Sequence, residues 1–140
     1  MSQSEKELTQ KAFVNREYAF KHTSFEQEFA FYNYVKNGDV DKVMQMMTPL
    51  GAGGAGMLSE DFLRNLKYHF IVMVALITRF CVEGGMEMET AYTLSDLYIL
   101  KVDKCVEVRE IHKLHREAAL DFTNQMNRLK RNKRYSKPVI

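Results

Sequence analysis

The residues able to do chemistry are few and scattered along the chain. His112 and His115 are the only histidines close in sequence, and on a helix their spacing puts two imidazoles on one face, within reach of a metal. A structural zinc needs four ligands, and neither Cys81 nor Cys105 stands at a paired spacing to complete the set. His115 also falls on an apolar stripe, where a core histidine is the commoner outcome, so neither a metal nor a cofactor is expected. Cys81 ends a strongly apolar segment, the opposite of the accessible, electropositive setting that a nucleophilic thiol requires. The carboxylate pairs Glu87/Glu89 and Asp39/Asp41 sit at helix starts, where charge complementarity to the helix end explains them. GAGGAG, at 51–56, has the letters of the dinucleotide fingerprint G-x-G-x-x-G. That motif works only between a strand and a helix, and here a Met-rich helical segment and Pro49 precede it. It reads as a linker. No catalytic constellation emerges, and the chain is expected not to be an enzyme.

The elements around these residues are helical throughout. A weak signal covers 12–20. Ser24 and Gln27 form a capping box ahead of Phe25, Phe29, Tyr32 and Val35, an apolar face at helical spacing. Gly38 supplies a left-handed stop and Asp39 a cap for a short helix built on Val40, Val43, Met44 and Met47. Ser59 opens a long helix that Gly84 and Gly85 end. Its middle, FIVMVALI at 70–77, is apolar all round, which predicts a central helix enclosed by the others. A helix over 88–104 turns Ala91, Leu94, Tyr98 and Val102 inward. The last runs from Glu107 to about Lys133 on a stripe of Val108, Ile111, His115, Ala118, Phe122 and Leu129. Past Phe122 the stripe thins and basic residues take over, so this end should project. The expected fold is all-α: a single helical bundle of about five to six helices, with a long buried central helix and a projecting basic C-terminal helix.

Charge divides the chain in two. Residues 125–140 hold Arg128, Lys130, Arg131, Lys133, Arg134 and Lys137 with no acid, while 1–124 hold fourteen basic and eighteen acidic residues, a formal −4. Such a body is poorly suited to gripping a phosphate backbone alone. A helical domain over 1–124 and a basic linker over 125–140 are expected. Two unpaired cysteines, a polar N-terminus and a longest apolar run of eight residues point to a cytoplasmic protein without a membrane partner. Nine methionines and sixteen aromatics fill a core, or serve a pocket or dimer face that uses their plasticity. The polar cluster to watch is Tyr92, Ser95, Asp96 and Tyr98, with Arg79 and Glu83 nearby and Arg79 able to pair with Asp96 across the bundle.

Several segments in order resemble one family of regulators. Leu58-Ser59, the Arg64–Tyr68 segment RNLKY, Glu83-Gly84-Gly85 and AYTLSDLYI at 91–99 are similar to the central region of AraC-family transcriptional regulators from Gram-positive bacteria. FYNYVKNGDVDKVMQMM upstream, LHREAALDF at 114–122 and YSKPVI at 135–140 continue the likeness, which covers about 25–140. The resemblance implies a regulatory domain, sensing a signal or dimerising, with DNA bound through a helix-turn-helix domain absent from this chain. It also implies a homodimer. Arg79, Glu83, Tyr92, Ser95, Asp96 and Tyr98 would then form an effector or coupling cluster for an unidentified small molecule, and the basic residues a DNA-proximal linker. The alternative is a stand-alone helical interaction module, an anti-regulator.

Overall fold

The computed structural model describes residues 2–17, 25–48, 50 and 56–135. Among them stand six helices and no strand: α1 Gln3–Glu17, α2 Phe25–Lys36, α3 Val40–Met46, α4 Phe62–Glu83, α5 Met88–Asp103 and α6 Val108–Tyr135. The chain is an all-α helical bundle. The first helix lies earlier than the 12–20 signal placed it; its described side chains are all exposed except the half-buried Val14. Ser24, Pro49 and 51–55 lie outside the described residues.

Local chemistry sets the ends. Both long-range turns close with paired bonds back into the last helical turn. After α2, Gly38 N–H reaches the Val35 carbonyl (3.0 Å) and Asp39 N–H that of Tyr34 (2.9 Å). After α4, Gly85 N–H reaches Val82 (3.1 Å) and Met86 N–H reaches Cys81 (2.9 Å). The residue at each turn must take positive φ, and both are glycine, Gly38 at +69° and Gly85 at +110°. Asp39 caps α3 by accepting from the Lys42 N–H. The expected cap of α4 shifts by two residues. Asp61 accepts from the Arg64 N–H at 2.7 Å, while the Ser59 hydroxyl accepts from the Asp61 N–H (3.1 Å). The segment before α4 is pinned to it. Asn65 Oδ1 accepts from the Leu58 and Ser59 amides, and His69 Nε2 bonds the Gly56 carbonyl.

The core is assembled around α4, which α2, α5 and α6 all contact, with α3 held between α2 and α6. Leu66, Phe70, Val74, Ile77 and Cys81 of α4 meet Val35, Val43, Ala91, Val102, Ile111, Phe122 and Met126, all of them buried. By length and composition alone α4, with a mean hydropathy of 1.3, matches a membrane-crossing helix. Its inner face instead forms the centre of this core. Its enclosure is incomplete, however: Tyr68 (42% exposed) and Val72 (50%) face outward.

The C-terminal helix stays docked further than its thinning stripe suggested. Thr123 and Met126 are fully buried, the Asn127 amide donates to the Gly38 carbonyl (3.1 Å), and Lys130 Nζ donates to Asn37 Oδ1 (3.0 Å). The tail is anchored on the α2–α3 turn, and α6 passes position 124 without a break. The Thr123 hydroxyl returns to the Ala119 carbonyl four residues back, so a polar residue enters the core at little cost.

Candidate functional site

The six residues expected to cluster do not share one site. Arg79 is exposed, donates to the Ala75 carbonyl (2.9 Å) and stands 5.6 Å from the ring centre of Tyr92, a cation–π contact between α4 and α5. The Arg79–Asp96 pair does not form among the described residues, and Asp96 is exposed. The reason is geometric. Arg79 and Tyr92 edge the solvent side of the two helices, leaving Asp96 no buried cation to meet. Glu83 belongs elsewhere again, accepting from Lys36 Nζ of α2 at 2.9 Å. Ser95 and Tyr98 lie on the inward face of α5, in line with Ala91 and Val102.

Tyr98 is the one member of the cluster that reaches the last helix. Its hydroxyl donates to Asp121 Oδ2 (2.7 Å), whose other oxygen accepts from Gln125 Nε2 (2.9 Å). Lys101 Nζ lies 5.2 Å from the Tyr98 ring centre. Burial, then the bond to Asp121, pushes the Tyr98 hydroxyl well above the usual tyrosine range, so it stays protonated and a donor. This bond ties α5 to α6. Tyr98→Phe should lower stability by about 1–2 kcal/mol, the loss of one bond to a half-buried carboxylate. Tyr92→Phe should change it by less than about 0.5 kcal/mol, because it leaves the ring in place at the surface. Urea midpoints compare the two; equal effects would contradict the assignment.

Asp121, Gln125 and Lys36 were not legible as site residues. The only signal was indirect: an inward tyrosine demands an acceptor, but one sequence does not say where a partner on another helix stands.

The histidine pair resolves into two unlike groups. His115 is buried, and burial first, His112 second, pushes its pKa down to about 4. His112 is half-buried and its Nδ1 has no hydrogen-bond partner among the described residues. Among those residues no group of three or more His, Cys, Asp or Glu side chains stands ready to hold a metal. Both cysteines are free and buried. Burial pushes the Cys81 thiol up to about 12, which suits packing and not nucleophilic attack.

The basic residues divide likewise. Arg128, Lys130, Arg131 and Lys133 are exposed along the last turns of α6, Lys130 held by Asn37. Arg134 lies in α6, and Lys137 lies outside the described residues. Every large apolar side chain described on α6 is buried or half-buried. Exposed apolar residues instead lie on other helices, Tyr68 and Val72 of α4 among them. No protein-family model, curated protein or solved structure matches the chain.

Proposed function

We propose that this chain is the regulatory region of an AraC-type transcriptional regulator, a cytoplasmic signal-sensing and dimerising module that acts on DNA through a helix-turn-helix domain beyond it. The observation that carries the reading is α6. It is one 28-residue helix whose first turns lie in the core, at Ile111, Ala118 and Phe122, and whose last turns bear a row of cations. A helix held along most of its length by its neighbours follows any shift in them. Its anchor is the α2–α3 turn, through Asn127 and Lys130, and its second tie is Tyr98–Asp121. A ligand or partner that favours one arrangement of α2, α3 or α5 would shift the population of α6 orientations. Whatever follows α6 would be re-aimed, which is how a dimeric reader sets half-site spacing. The sequence resemblance over 25–140 supports the same assignment.

The test is capture of the native polypeptide from its source cells with an antibody to this domain, after DNA crosslinking. A mass above 16.4 kDa by roughly one domain, about 100 residues, with recovered DNA enriched in paired half-sites, is the expected result. A 16.4 kDa product without enriched DNA would overturn it and leave the stand-alone interaction module, a reading that the outward apolar residues of α4 favour.

A further inference from the structure

Most helices in a bundle are apolar on one side, and α4 also carries apolar residues, Tyr68 and Val72, on a second. The inner side is the core. On the outer side, Asp61, Asn65, Tyr68, Val72, Ala75 and Arg79 recur at alternating steps of four and three. That is the seam spacing along which two helices supercoil. Tyr68, Val72, Asp61 and Arg79 are exposed and Asn65 and Ala75 half-buried; off the strip Phe62, Arg64 and Glu83 are exposed too, and α2, α5 and α6 pack on the other sides of the helix. Tyr68 and Val72, one turn apart, put two apolar side chains side by side at the middle of the strip.

The charges at its ends say what covers it. The strip begins with an acid, Asp61, and ends with a base, Arg79, and its middle is apolar. A second copy laid antiparallel about a twofold axis near Phe70 would put Arg79 beside Asp61 of the partner subunit and Tyr68 beside Val72 of the partner subunit. Parallel pairing would set arginine against arginine. The end groups are available for this. Asp61 uses Oδ1 for the Arg64 amide, leaving its other oxygen, and Tyr92 holds the Arg79 guanidinium at the edge of the strip. Self-complementary patches of this kind are what a symmetric dimer requires.

We propose that the outer face of α4 is the contact surface of a symmetric dimer in which two α4 helices pair antiparallel. It deepens the dimerising part of the reading above and rests on that part alone. Sedimentation equilibrium of the 140-residue chain should give a mass that rises with concentration from 16.4 kDa towards twice that value. Val72→Arg should raise the dissociation constant at least about tenfold, with helical circular dichroism unchanged because Val72 is half-exposed. As a second measurement, mild oxidation of a mixture of Tyr68→Cys and Val72→Cys should cross-link the two, whereas Arg79→Cys alone should not cross-link to itself. A mass of 16.4 kDa at every concentration overturns the proposal. So does a dimer that Val72→Arg leaves intact, or a monomer whose α4 face is instead protected by phosphatidylglycerol vesicles. A dimer with no DNA in the capture experiment would overturn the regulator and leave this surface standing; a monomer with DNA would do the reverse.

Discussion

Gly38→Ala should cost on the order of 3–5 kcal/mol, a large share of the stability of a domain this size. Two penalties combine. At φ +69° an L-residue is strained by about 1–2 kcal/mol through its Cβ and carbonyl oxygen. That Cβ would also stand 2.5 Å from the Asn127 amide nitrogen and 2.7 Å from its Cα. These are backbone atoms of α6 and have no rotamer to relax into. Relief requires the helix to move, which breaks the Asn127–Gly38 bond and disturbs the buried Met126 beside it. Gly85→Ala is the control. Its φ of +110° is also unfavourable, but the nearest atom to an added Cβ is the tip of Lys133 at 3.1 Å, the end of a flexible side chain. Gly85→Ala should therefore lose clearly less, and urea midpoints of the two variants give the comparison. Equal losses would mean that backbone strain acts alone and that α6 does not press on the α2–α3 turn.

Gly38 also marks where sequence reading stops. The helix stop was legible, because glycine before a capping aspartate is a local signal. What packs on that glycine was not, since Asn127 lies 89 residues away. The helices followed from period and caps in the same way, and most inward positions with them, from Val43 to Val102; Phe25, Phe29 and Met44, which period places on the same faces, are instead exposed. Two inferences drawn from pattern alone needed correcting. An apolar circumference was taken to imply enclosure of α4, yet three neighbours leave Tyr68 and Val72 outside. A thinning stripe was taken to imply a projecting tail, yet Thr123 is satisfied by its own helix and Asn127 by a neighbouring turn, so polar letters there mark docking. The polar cluster failed for a related reason. Tyr92, Ser95, Asp96 and Tyr98 are near in sequence, but successive helical positions point in different directions, and Arg79 of α4 meets the Tyr92 ring instead of Asp96.

Acid should destabilise this protein through His115 by about 3 kcal/mol, on top of whatever the carboxylates contribute. Unfolded, the imidazole takes up a proton near 6.5; folded, burial and the neighbouring His112 hold that event down to about 4. Between those values the unfolded chain binds the extra proton and the folded chain does not. Stability is therefore full above 6.5, falls as the pH is lowered through the window, and has lost this contribution once the pH is below 4. His115→Leu removes the group while keeping apolar volume at the site. The difference between wild-type and variant urea midpoints should be constant above pH 6.5 and shift against the wild type below it. The carboxylates are common to both proteins and cancel. Parallel profiles down to pH 4 would show that the folded chain protonates His115 as readily as the unfolded one, through a path that opens α6. Because His112 stands one turn away, with its Nδ1 unpartnered among the described residues, His112→Ala tests the second cause. Removing that neighbour should raise the His115 pKa and narrow the window, and the smaller size of this effect follows from burial being the larger cause.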